Sequence, residues 1–184
     1  MKKSLTFFAV LCFVFANAQF KTGTIFFKDS TSINGLVKTK IFGGVKFKLS
    51  KDSKIESYDY KQLYGFNVSG KKFRYIKGNY SATPRLLNEL TNGKITLYSN
   101  QVYNPGHTIP NGFSGGGMTF GGGTSTVYFM KVKGSLVRLG IKVKNKHKIY
   151  FKDCPLLIEK IENKELYKFD VLAIINFYNE NCGS

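Results

Sequence analysis

The chain has 184 residues and carries 28 Lys and Arg against 11 Asp and Glu, a formal charge of +17. That length suits one domain with its own core, and beyond the N-terminus no apolar run is long enough to span a bilayer. Only Arg74, Arg85 and Arg138 are arginine, so the lysine-rich balance argues against base readout by guanidinium forks and for diffuse attraction to anions.

Residues 1–18 read as a secretory signal peptide. Lys2 and Lys3 precede the apolar run "LTFFAVLCFVF", and "ANA" places small residues where a signal peptidase reads, with the cut before Gln19. Lipidation of Cys12 is disfavoured because the bulky Leu11 precedes it. The mature chain, 19–184, is expected to be a single exported α+β domain without a transmembrane segment, in the periplasm, at the outer surface or outside the cell.

Residues 19–80 alternate with period two. "GTIFFKDSTSINGLVKTKI" reads strand, turn, strand, and so do "GGVKFKLSKDSKIESY" and "LYGFNVSGKKFRYI". Val45, Phe47 and Leu49 alternate with Lys46 and Lys48, which separates an apolar face from a charged one. Strands this short and evenly spaced predict a small barrel or a twisted antiparallel sheet. "YDYKQL" between them reads as a helical turn or a linker.

Within 81–140, "TPRLLNELTNG" predicts a short helix, with Thr83 as cap, Pro84 in the first turn, Leu86, Leu87 and Leu90 as its stripe and Gly93 as its stop. "KITLYSNQVYN" and "TVYFMKVKGSLVRL" read as strands of a second hairpin, joined by a mobile loop over 105–125. That loop contains "GFSGGGMTFGGGT", which is not a phosphate cradle. No lysine lies between Asn104 and Tyr128, the glycine spacing fails G-x-G-x-x-G, and a strand follows rather than a helix N-terminus. Its apolar side chains Phe113, Met118 and Phe120 form a possible contact loop.

Over 141–184 the period changes from a strand to a helical hairpin. "DCPLLIEKIENKEL" carries Leu157, Ile158 and Ile161 at helical spacing, with Asp153 as cap and Pro155 near the first turn. "FDVLAIINFYNENC" places Val171, Ile174, Ile175 and Tyr178 on one face, widened by Leu172 and Phe177. Helices joined by a short connection pack antiparallel, which brings Cys154 beside Cys182. A disulfide there would close a loop of about 28 residues.

No catalytic set is legible. His107 and His147 belong to no metal motif, and a zinc site from His147, Cys154 and Cys182 would lack a fourth ligand. "GFSGG" misses the G-x-S-x-G elbow, and Asp52, Glu56 and Asp59 read as counter-charges at turns. We therefore expect no catalytic residue, no cofactor and no metal. The positive feature is lysine spacing. Lys142, Lys144, Lys146 and Lys148 recur at i, i+2, and an extended backbone would turn all four one way as an anion-binding row. Lys131 and Lys133, Lys38 and Lys40, and Lys46 and Lys48 repeat the pattern.

The segments "ANAQ", "GTIFFKDSTSINGLVK", "LYGFNVSGKKFRYI", "LLNELTNGKITLY", "VYFMKVKGSLVRL", "YFKDCPLLIEKI" and "FYNENC" follow in an order that resembles an uncharacterised family of small secreted proteins of Bacteroidota-type bacteria. The resemblance implies a secreted fold of turns, apolar runs and a Cys near each helix end, and carries no activity, cofactor or site residue. The leading expectation is a secreted or envelope-associated, non-catalytic module that binds a protein partner or an anionic envelope component such as lipid phosphate or acidic glycan, with no specific nucleic-acid ligand. A secreted hydrolase acting on envelope polymer and a structural accessory subunit of a surface complex are the alternatives.

Overall fold

The computed structural model describes residues 20–40, 43–79, 81–110 and 117–182. The expected signal peptide, 1–18, lies outside them. The chain divides into two compact units between Tyr75 and Ile76.

The first unit is an open antiparallel sheet. Its strands are β1 (Lys21–Phe27), β2 (Ser32–Thr39), β3 (Val45–Lys48), β4 (Glu56–Tyr58), β5 (Leu63–Val68) and β6 (Lys71–Ile76), in spatial order β6-β5-β1-β2-β3-β4. The three hairpins expected from the alternation are all present. The barrel is not: β4 and β6 do not pair, so the sheet does not close. Local chemistry sets two of the turns. The Asp29 carboxylate accepts from the Thr31 amide at 2.9 Å and from its hydroxyl at 2.6 Å, an Asx turn that bends the chain between β1 and β2. Ser69 and Gly70 both have positive φ, 51° and 73°, as a two-residue hairpin turn requires. Ile25, Val37, Val45, Phe47, Leu63 and Phe66 are buried, while Leu49 lies beyond the end of β3 and is exposed. The "YDYKQL" segment is a turn in which Asp59 accepts from the Lys61 amide at 2.7 Å.

The second unit contains β7 (Arg85–Thr91), β8 (Thr96–Asn104), β9 (His107–Pro110), β10 (Gly117–Phe120), β11 (Gly123–Val132), β12 (Ser135–Gly140), a 3-10 helix (Asn145–Phe151), α1 (Pro155–Glu162) and α2 (Val171–Asn181). The order β12-β11-β8-β7 forms an antiparallel sheet with two unlike faces. On one face Leu97, Met130, Val132 and Leu139 pack with Leu157 and Ile161 of α1 and Val171, Ile174, Ile175 and Tyr178 of α2. On the other, Leu87, Tyr98, Val127 and Phe129 gather with Ile76. Strand parity explains the division, because successive side chains point to opposite faces.

Two expectations for this unit need correction. Residues 85–91 form a strand, not a helix: β7 pairs with β8 through Asn88↔Ser99 and Glu89↔Tyr98. Of the three leucines only Leu87 is buried, and Leu90 is exposed. Helix propensity is a weak prior that a neighbouring strand overrides, and here β8 supplies the ladder. The described residues of 105–125 also include strands where a loop is expected. The β8–β11 ladder runs to Asn104↔Gly123, and beyond it β9 pairs with β10 through Met118↔Ile109 and Phe120↔His107. Phe113 lies outside the described residues.

The helical hairpin follows its expected pattern, with a shift at the caps. Cys154 occupies the N-cap of α1 with Pro155 at its first turn. Asp170 caps α2 by accepting from the Ala173 amide at 3.0 Å. Leu172 is exposed and Phe177 is partly buried, so α2 buries one face rather than its whole girth. Cys154 and Cys182 are buried with Cα atoms 5.5 Å apart, within the disulfide range. No helix among the described residues is long and apolar enough to cross a membrane.

Candidate anion-binding clefts

The four lysines singled out by their spacing do not form a row. Lys144 precedes the 3-10 helix, and Lys146 and Lys148 lie within it. Helical winding turns His147 and Phe151 inward, both buried, and Val143, just before the helix, is buried as well. The Lys148 ammonium pairs with Glu162 at 2.6 Å. The Lys142 ammonium sits 4.7 Å from the centre of the Phe169 ring. Lys144 and Lys146 are exposed. In the first unit Lys38 stands directly opposite Lys46 across β2 and β3.

His147 has a structural position. Its Nδ1 accepts from the Lys144 amide at 3.1 Å. Burial, with the neighbouring Lys146 and Lys144 charges, holds its pKa below the usual imidazole value, so it is neutral at pH 7. His107 begins β9. Among the described residues no group of three His, Cys, Asp or Glu side chains stands close enough to hold a metal ion.

The arginines give the clearest constellation. Arg74 packs in the first unit against the rings of Phe26 and Tyr64, at 5.2 and 5.7 Å. Arg85 and Arg138 meet in the second unit, where both line one cleft of about 230 Å³ with Gly78, Asn79 and Ser81 around them and Phe129 among the apolar walls. Strand parity places them there. Arg138 shares the face of Leu136 on β12, and Arg85 shares the face of Leu87 on β7. The Arg85 guanidinium lies 5.9 Å from the Phe129 ring centre, within cation–π reach. Among the described residues no carboxylate lines this cleft. Two arginines, an asparagine and a serine line it, a donor set that matches the planar oxygens of a carboxylate or phosphate.

A second cleft, of about 410 Å³, shares Asn79 with the first. Lys133, Lys152, Ser135 and Tyr150 line it together with the Asp153–Tyr178 pair. The Tyr178 hydroxyl donates to Asp153 at 2.7 Å. Burial and that bond push its pKa up to about 12, so it remains a protonated donor. Asp153 thus serves as this hydroxyl's acceptor rather than as the cap of α1. Neither histidine lines either cleft.

The lysine spacing thus falls on side chains of which two are engaged within the chain, Lys142 and Lys148, and it does not point to Arg85 or Arg138. The signal that could have found them is their rarity, three arginines in so basic a chain, together with the alternation of "SLVRL". Arg85 was hidden by the helical reading of its segment. No family model, curated protein or solved structure matches the chain.

Proposed function

We propose that this is an exported, non-catalytic binding module that holds an oxyanion group of an envelope component, phosphate or carboxylate on a glycan, in the cleft between Arg85 and Arg138. The observation that carries the reading is that two of the chain's three arginines line one small cleft with no carboxylate among its described residues. The formal charge of +17 supports it by drawing polyanions toward the surface, and the adjoining cleft offers hydroxyl, amide and ammonium donors to the next unit of a polymer. Export rests on the N-terminal pattern of charge, apolar run and small residues.

Calorimetric titration of the protein with a soluble polyuronate and, separately, with inorganic phosphate tests this. Binding to either is expected to weaken at least tenfold in Arg85→Ala and in Arg138→Ala, since a charge-assisted hydrogen bond contributes about 1.5–3 kcal/mol. The arm that binds more tightly identifies the anion. Absence of binding in both arms, or binding indifferent to both substitutions, overturns the proposal.

A further inference from the structure

A different surface of the second unit carries an independent reading. The joint between α1 and α2 exposes two stacked rings, Tyr167 and Phe169, with centroids 5.3 Å apart. Tyr167 is 63% exposed and Phe169 43%. A groove of about 170 Å³, with Ile161 and Leu166 in its walls, opens beside them. The Val143 amide donates to the Lys168 carbonyl at 2.9 Å. That bond holds the segment bearing Lys142 and the exposed Ile141 alongside the joint. Large apolar groups left in water at one place mark a contact surface.

The charges around the rings say what the contact is. Lys142, Lys164 and Lys168 flank them, and the nearby carboxylates each have a partner, although Glu162 also lines the groove and feels the Lys168 charge. Glu162 pairs with Lys148, Glu165 pairs with Lys160, and Asp170 caps α2. The rim is therefore positive. Lysine stems extend over apolar surface while the ammonium groups stay in water, and tyrosine and phenylalanine rings settle at the level of lipid headgroups. We propose that this aromatic and lysine surface docks on an anionic phospholipid bilayer, with Tyr167 and Phe169 entering the interface and Lys142, Lys164 and Lys168 meeting the lipid phosphates. It shares no residue with the Arg85–Arg138 cleft, so the two sites can be tested apart.

The probe is unilamellar vesicles of phosphatidylglycerol and phosphatidylcholine, with pure phosphatidylcholine vesicles as control. The chain has no tryptophan, so Tyr167→Trp supplies a single reporter in the full mature protein. Its emission should shift to the blue on anionic vesicles and be quenched by lipids brominated near the top of the acyl chain. In co-sedimentation, Tyr167→Ser with Phe169→Ser should weaken binding at least tenfold. Replacing Lys142, Lys164 and Lys168 by Gln should weaken it roughly 100-fold, about fivefold for each ammonium near an anionic surface. Tyr167, Phe169, Lys164 and Lys168 are exposed and Lys142 is half-buried, and unchanged circular dichroism verifies folding. Arg85→Ala and Arg138→Ala should leave vesicle binding intact. Failure of the wild type to bind anionic vesicles, adsorption without quenching, or equal binding by the ring variants overturns the inference. Binding of a soluble polyanion at the rings in place of vesicles overturns it as well.

Discussion

Asn179 on α2 acts as a missing strand for Ile95. Its Nδ2 donates to the Ile95 carbonyl at 2.8 Å, and its Oδ1 accepts from the Ile95 amide at 2.9 Å. The Ile95 side chain is fully buried, and its backbone lies just before β8, outside the ladders to β7 and β11. Asn179→Ala would leave both backbone groups without a protein partner. Each buried, unpaired group costs about 1–3 kcal/mol, and water reaching the half-buried site lowers the sum, so we expect a loss of about 2–4 kcal/mol. Gly93 is part of the same arrangement. A Cβ there would stand 2.7 Å from the Asn179 Cγ, so Gly93→Ala should displace the amide and destabilise the second unit. Urea denaturation of the two single variants and the double variant, followed by circular dichroism, gives the coupling. The double variant should lose clearly less than the sum of the singles, because the second change strikes a contact already gone. A loss below about 0.5 kcal/mol in Asn179→Ala, or simple additivity, would refute the clamp.

Other outcomes are as specific. Reducing the Cys154–Cys182 pair, separated by 28 residues, should cost about 3–4 kcal/mol by the chain-entropy relation; equal urea midpoints with and without reductant would contradict a bridge. For His147 the folded pKa is depressed by burial, then by Lys146 and Lys144. The unfolded imidazole takes up a proton near its ordinary value of about 6.5 while the folded one still resists. Stability is thus fully present above about pH 6.5 and lost as the pH falls through the folded value; His147→Asn should flatten that segment of a stability–pH curve. Leu87→Ala should cost about 2–5 kcal/mol and Leu90→Ala under about 1 kcal/mol, whereas a helical stripe would make the leucines alike; chemical denaturation of the two decides.

The strand hairpins of the first unit and the two C-terminal helices were legible because each carries its period locally. Val45, Phe47 and their lysines alternate, Leu157 and Ile161 recur at helical spacing, and Asp29, Ser69 and Gly70 supply the turn chemistry in place. The approach of Cys154 to Cys182 followed from the same local signals, since a short joint returns one helix beside the other. Residues 85–91 and 142–148 were misread because their patterns fit two periods. The apolar spacing in the first suited a helix until β8 offered a ladder, and the alternating lysines of the second suited a strand until His147 and Phe151 turned inward as a wound segment.

What the amino-acid order determined by itself was the hairpins of the first unit, the two C-terminal helices and a charge balance rich in lysine. Only the tertiary structure decided which charges meet. Arg85 and Arg138 stand on strands that are distant in sequence, and nothing within either strand encodes their common cleft. The clamp of Asn179 on Ile95 spans 84 residues in the same way. Such contacts arise from strand order and from the packing of helices on a sheet, long-range properties that no local periodicity contains.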